Sequence, residues 1–356
     1  MDKRIFEQRR DNLKRKLAEK KLPALLVSHA ANRFYLSGFE LHDGQCNESS
    51  GWVVVTQDGP DYLFTDPRFD DAAKRLWNEE NIVIYSDKKH RTVGEFLKGK
   101  GIKTLAFDPE VTSLFDHEGL KPYVDLTAQR GLVEELRIYK DEEEVRRMEA
   151  SIGLNHKIMD EIQEFLVPGV TEKEVAWQIE KLFKNNGAEE MAFSSIVGVG
   201  PNAALPHAIP GETELREGDL VLIDTGCRLN DYNSDQTRTF WVGDKPSDRF
   251  QQVLEWVQGA QQAAIDTMRP GLSLYEPWKA AWDYFDKLGV AKYFTHGLGH
   301  GVGLETHEPP RMSRVAKGTL EPGVIITVEP GLYWPDWGGV RWEHEVLITE
   351  DGCRVL

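Results

Sequence analysis

The chain of 356 residues is longer than one ordinary domain and fits two, and its 40% hydrophobic and 29% charged content suits a large core under a well-solvated surface. Ten Trp, ten Tyr and fifteen Phe exclude a disordered chain. A formal charge of −16 repels phosphate backbones and argues against nucleic acid as a general partner.

The N-terminal run of residues 1–10 is charged where a signal peptide needs an apolar stretch. No run reaches the roughly 18 apolar residues that span a bilayer, so no membrane partner is expected. The cysteines Cys46, Cys227 and Cys353 are odd in number and widely spaced, which excludes a zinc ribbon or disulfide framework and fits a reducing, cytoplasmic compartment. In chain order, Ile5, Phe6, Leu13 and Leu17 mark a charged helix running to about Leu22. A buried strand over 24–28 follows, and residues 32–36 lead into a turn at Gly38. Strands over 52–56 and 61–65 flank Gly59-Pro60, a hairpin signal. A helix over 69–77, a strand over 82–85, a helix over 93–98 and a strand over 104–107 complete an α/β domain. From Asp141 the texture changes. Val145, Met148, Ile152, Met159, Ile162 and Leu166 recur at helical steps until Pro168-Gly169, and Thr171 with Glu174 forms a capping box for the next helix. Two more helices are predicted over 252–268 and 274–288. The boundary falls within 132–140, giving domains 1–132 and 133–356.

Four segments of the second domain carry acidic and imidazole groups. Asp219-Leu220-Val221-Leu222-Ile223-Asp224 predicts a strand ending on a carboxylate, and Ser234-Asp235-Gln236-Thr237-Arg238-Thr239-Phe240 predicts its return, with a turn over 229–233. In such a hairpin Asp224 and Asp235 can lie opposite one another, and alternation puts Asp235, Thr237 and Thr239 on one face. Two carboxylates held that close need a cation between them to stay ionised together. The segment from His296 to His307 interleaves His296, His300 and His307 with Gly297, Gly299, Gly301 and Gly303, which lets the backbone approach a bound group closely. This is not the H-E-x-x-H arrangement of a helical zinc site. Val324-Ile325-Ile326-Thr327-Val328-Glu329 predicts another strand ending on a carboxylate. Residues 339–349 predict a single strand with Arg341, Glu343 and Glu345 on one face, and charges in such apolar surroundings need partners. Asp224, Asp235, His300, Glu329 and Glu343 form a mostly oxygen donor set, which selects Mn²⁺ or Co²⁺ and typically holds two ions about 3.5–4 Å apart.

The order of these five residues, with their flanking motifs, resembles the proline-specific branch of the methionine-aminopeptidase-like, pita-bread metallopeptidases. That branch holds Xaa-Pro dipeptidase (prolidase) and Xaa-Pro aminopeptidase. The likeness runs from about Lys140 to the C-terminus and, less sharply, over residues 32–39 and 65–69. It implies an α+β pita-bread catalytic domain of two pseudo-symmetric halves, preceded by an α/β creatinase/prolidase-like N-terminal domain. By position in the family pattern, Asp224 would chelate one metal, Asp235 and Glu343 would bridge both, and His300 and Glu329 would complete the second. Gly200-Pro201-Asn202-Ala203-Ala204-Leu205-Pro206-His207 resembles the family's substrate-side histidine segment. His207 and His307 would then stabilise charge on the scissile carbonyl, and Glu329 would accept the proton of the nucleophilic water. Arg341 would orient the bridging carboxylates, and His296 would line the pocket. Thr225, Asn233 and His344 depart from the family's usual residues, and none is a ligand.

The resemblance further implies two divalent ions, Mn²⁺ first with Co²⁺ or Zn²⁺ as alternatives, and a short proline-containing peptide as substrate. Arg311 would receive a dipeptide's free carboxylate through a bidentate pair. That favours a dipeptidase, with Xaa-Pro aminopeptidase action on longer peptides as the alternative. A metal-free binding module on the same fold would have lost ligands, and none is lost. A homodimer formed through the N-terminal domain is also implied, with the loop Leu41-His42-Asp43-Gly44 reaching the neighbouring subunit's site.

Overall fold

The computed structural model describes residues 3–43 and 48–356, so Gly44 of the loop just named and Cys46 lie outside the described residues. The chain divides into two compact units, Met1–Arg137 and Ile138–Leu356.

In the first unit a six-stranded sheet takes the order β4-β3-β2-β1-β5-β6. Its strands are β1 (Ala24–Val27), β2 (Gly51–Thr56), β3 (Tyr62–Thr65), β4 (Ile82–Ile84), β5 (Thr104–Phe107) and β6 (Asp125–Ala128). The β2–β3 hairpin is antiparallel, as its Gly-Pro turn predicts, whereas β3–β4, β1–β5 and β5–β6 run parallel. Parallel pairs need helical crossovers, and helices Asp70–Leu76, Lys89–Gly99 and Leu114–Leu120 occupy the connections. Leu26, Trp52, Val54, Phe64, Leu97 and Leu105 pack one side of the sheet. Residues 32–36 belong to a helix, Ala30–Ser37, which Gly38 ends in the left-handed conformation at φ 70° while donating to the Phe34 carbonyl. The helix Leu114–Leu120 and β6 are not predicted from local pattern. The residues of β6 are half-buried or exposed, so the strand lacks the apolar run that marks its neighbours.

The unit boundary falls later than residue 132. Arg137 donates to Asn32 Oδ1 at 2.7 Å, Asn32 donates to Glu134 at 2.6 Å, and Tyr35 donates to the Leu136 carbonyl at 3.2 Å. These long-range bonds tie residues 133–137 to the first unit, and a local composition change does not register them.

The second unit opens on helix Glu142–Glu161, whose capping box is Asp141 with Glu144, followed by helix Glu172–Asn185 with the Thr171–Glu174 box. Helices Asp248–Ile265 and Tyr275–Lys287 come later. One sheet orders as β12-β9-β8, built from β8 (Ile196–Val199), β9 (Leu220–Thr225) and β12 (Gln236–Trp241). A small sheet joins β7 (Glu190–Met191), β10 (Cys227–Leu229) and β11 (Tyr232–Asn233). The largest orders as β14-β13-β15-β18-β19, from β13 (Gly299–Gly301), β14 (Glu308–Met312), β15 (Ile325–Val328), β18 (His344–Ile348) and β19 (Cys353–Val355). The pair β16 (Gly331–Trp334) and β17 (Gly338–Arg341) completes the set.

Strand β9 explains its own unbroken apolar run. Val221 and Ile223 enter the core beneath the first two helices, while Leu220 and Leu222 enter the core beneath the last two. A strand buried on both faces must be apolar throughout. Asp224 continues the face of Leu220 and Leu222, and this alternation aims it at the second core.

Candidate metal centre

Strands β9 and β12 place Thr237 directly across from Asp224 and Gln236 across from Thr225. Asp235 therefore stands diagonal to Asp224, on the Thr237 face, rather than opposite it as the hairpin pattern allows. The strands can close here because Gly226 has no side chain: a Cβ would overlap the Ser234 carbonyl oxygen and lie 2.9 Å from its carbon.

The strand predicted over 339–349 is two strands. Strand β17 pairs with β16, β18 pairs with β15, and Trp342-Glu343 bridges them. The break arises because the chain bonds across β12 here. Arg341 N–H donates to Thr239 Oγ1 at 3.1 Å and Glu343 N–H donates to the Thr237 carbonyl at 3.2 Å. His300 lies on β13 beside a bulge, Glu329 directly follows β15, and Glu343 directly precedes β18.

These elements bring the five predicted side chains together. His300 Nε2 lies 3.6 Å from Asp235 Oδ2 and 3.4 Å from Glu329 Oε1. One ligand atom each from Asp235, His300 and Glu343 falls within 4.8 Å of the others. His300 Nδ1 donates to the Gly301 carbonyl at 3.1 Å, which leaves the Nε2 lone pair facing the carboxylates. Arg341 organises the other side. It donates to Asp224 Oδ2 at 2.6 Å, to Thr237 Oγ1 at 2.9 Å and to the Tyr333 hydroxyl at 2.9 Å, and Thr237 donates its own proton to Glu343 Oε2 at 2.7 Å.

The electrostatics ask for a cation. Burial, and then repulsion by Glu343, Asp224 and Glu329, raises the Asp235 pKa well above the carboxylate range. Burial and the charges of Glu329 and Asp224 raise Glu343 likewise, and burial pushes Glu329 up to about 8. Asp224 Oδ1 is buried with no hydrogen-bond partner. An oxygen-rich, desolvated cluster with an unpartnered carboxylate oxygen and an imidazole lone pair fits divalent ions.

Around the cluster, His296 donates from Nδ1 to the Gly297 carbonyl at 2.6 Å and accepts at Nε2 from Tyr333 at 2.8 Å. Burial, then the Arg341 charge, pushes its pKa down to about 4, and His207 adds to the effect. The His307 ring stands 4.3 Å from that of His300, and loss of solvent, then Arg311 and His207, lower its pKa. His207, His307 and Arg311 are exposed. Two contributors are not assigned to the site by sequence. Tyr333 bonds both Arg341 and His296 but reads as an ordinary strand aromatic. Glu345 accepts from the Asp235 N–H at 2.7 Å, and burial raises its pKa to about 8; its alternation with Glu343 is the available signal.

Among the described residues no helix is long and apolar enough to cross a membrane. The profile of metallopeptidase family M24 matches residues 146–350, and that of the creatinase/prolidase N-terminal domain matches residues 9–139. An Xaa-Pro dipeptidase of Pyrococcus horikoshii is 34% identical over 339 residues, covering 94% of this chain and 92% of its own. The structure of an Xaa-Pro dipeptidase from Bacillus anthracis superposes with TM-score 0.92 at 30% identity, covering 98% of this chain and 97% of that one. An X-Pro aminopeptidase from Thermotoga maritima follows with TM-score 0.83, 28% identity and 94% of each chain covered. With the catalytic profile spanning more than half its length and the buried acidic cluster at the junction of its sheets, the chain belongs to metallopeptidase family M24 and is an enzyme of the pita-bread fold.

Proposed function

We propose that the chain hydrolyses Xaa-Pro peptide bonds, dipeptides first, with two divalent cations held by Asp224, Asp235, His300, Glu329 and Glu343. The observation that carries this reading is the gathering of these sequence-distant side chains around one desolvated acidic cluster. The relatives named for Xaa-Pro cleavage, matched along nearly the whole chain, support the proline specificity. Bound cations would polarise the scissile carbonyl and lower the pKa of a water.

The remaining work falls to the chain. In this reading Asp224, Asp235, His300, Glu329 and Glu343 would hold the two ions. Glu329 accepts the proton of the attacking water. His207 and His307 direct N–H groups at the developing oxyanion, and His296 lines the pocket against Tyr333. Arg341 fixes Asp224 directly and Glu343 through Thr237. Arg341→Lys removes the fork that makes these bonds, and Mn²⁺ titration of the stripped protein is expected to show about 10–100-fold weaker binding. Unchanged affinity would mean that Arg341 does not orient the carboxylates.

Arg311, exposed and paired in register with His300, is assigned to the substrate's free carboxylate. Losing that charge-assisted pair, worth about 1.5–3 kcal/mol, should raise KM for Ala-Pro roughly 10–100-fold in Arg311→Ala and spare Ala-Pro-Ala. Equal loss on both substrates favours the aminopeptidase reading. The carboxylate-rich set leads us to assign Mn²⁺ as the native ion, with Co²⁺ or Zn²⁺ as alternatives. We further assign a cytoplasmic setting, where the free Cys227 and Cys353 remain reduced, and a homodimer formed through the N-terminal unit. The deciding assay strips the metal, reloads Mn²⁺, Co²⁺ or Zn²⁺, and compares Ala-Pro, Ala-Pro-Ala and Met-Ala. Metal-dependent cleavage of Ala-Pro is expected, and turnover of Met-Ala alone would overturn the proposal.

A further inference from the structure

Beneath the acidic cluster, the geometry points to Gln261 as a positioning residue that holds Glu329 and Glu343 in place through one side-chain amide. The inference rests on the assignment of those two carboxylates as metal ligands.

Gln261 sits on the buried face of helix Asp248–Ile265. The direction of its amide follows from donor chemistry. An arginine only donates hydrogen bonds, so Arg238, whose Nη2 lies 2.7 Å from His344 Nε2, makes that nitrogen the acceptor. The His344 ring proton therefore resides on Nδ1, which faces Gln261 Oε1 at 3.2 Å. With Oε1 so occupied, the Gln261 NH₂ group points to the Val328 carbonyl at 2.7 Å and the Trp342 carbonyl at 3.2 Å.

Those two carbonyls belong to the peptide groups that lead into Glu329 and Glu343. Each group is also tied at its other end: Glu329 N–H donates to the Leu298 carbonyl at 2.8 Å, and Glu343 N–H to the Thr237 carbonyl at 3.2 Å. Arg238 adds a bond to the Glu343 carbonyl and stacks 4.3 Å from the centre of the Trp342 ring. Glu329 and Glu343 approach from different strands, at the end of β15 and the start of β18. The Gln261 amide gives both entry peptides one shared point of attachment. The two acids flank the last ladder pair of these strands, Val328 with His344, and the Gln261 amide braces the two peptides just beyond it.

The test uses full-length protein stripped of metal and titrated with Mn²⁺ by calorimetry and with Co²⁺ by its visible absorption. Gln261→Met keeps the volume and deletes all three bonds. Gln261→Glu keeps the acceptor for His344 and deletes the donor. Val257→Ala, a buried site on the same helix without these bonds, serves as a packing control. Both Gln261 variants are expected to bind the weaker ion about 10–100-fold less tightly and to show an altered Co²⁺ spectrum, while Val257→Ala changes thermal stability alone. Isotherms and spectra within twofold of wild type in either Gln261 variant would overturn the inference, as would an equal loss in Val257→Ala. A wild-type chain that binds no divalent cation would instead overturn the metal assignment and this inference with it.

Discussion

Asp235→Asn is expected to lose turnover of Ala-Pro by about 10³-fold or more, equivalent to roughly 4 kcal/mol of barrier, while folding at least as well as wild type without metal. The substitution keeps the shape of the side chain and removes a charge that the fold buries at a cost. Asp235 is 4% exposed and is repelled by Glu343, Asp224 and Glu329, so neutralising it relieves the metal-free protein. The same change deletes an anionic oxygen that faces His300 Nε2. Stability and activity should therefore move in opposite directions. Thermal unfolding of the stripped proteins, beside kcat after reloading with Mn²⁺, checks both halves. A stripped variant markedly less stable than stripped wild type would show that Asp235 serves the fold through its charge, against the role given to it here.

Gly299→Ala is expected to cost about 3 kcal/mol or more, a drop in Tm of roughly 6–12 °C for a unit of this size, if the variant folds at all. A Cβ at Gly299 would overlap the Thr327 carbonyl oxygen and lie 2.6 Å from its carbon. Backbone cannot swing aside as a flexible side chain can. The methyl must therefore separate β13, which carries His300, from the end of β15, which presents Glu329. Gly153→Ala supplies the contrast: nothing lies within 4 Å of its Cβ inside helix Glu142–Glu161, so a gain of about 0.4–1 kcal/mol is expected from the less flexible unfolded chain. Circular dichroism melts of the two variants beside wild type measure the difference. Equal melts for Gly299→Ala and wild type would mean that β13 and β15 are not packed this closely.

Some features are legible in the chain itself because they are written in local chemistry. The capping boxes at Asp141–Glu144 and Thr171–Glu174 reveal helix starts through side chains a few residues apart. The glycines around His300 announce close backbone approach, and Gly299 and Gly301 sit where a Cβ would strike the chain opposite. Asp224 and Glu329 stand out because each ends an apolar strand, and His300 because it interrupts a glycine-rich turn, where a charge without a partner is costly; Asp235 and Glu343 join them through the order and flanking motifs of the family pattern.

By itself, then, the sequence made most of the helices and strands, a two-part organisation and a candidate acidic cluster legible, since each depends on residues near one another in the chain or on donor chemistry. Only the tertiary structure decided the rest. It set Asp224 against Thr237 with Asp235 on the diagonal, split the strand over 339–349 so that Arg341 and Glu343 could bond across β12, and carried residues 133–137 to the first unit through Asn32 and Tyr35. Register and long-range hydrogen bonds join residues about a hundred positions apart. A one-residue slip reverses which side chains face the site, and local periodicity carries no information about which slip is made.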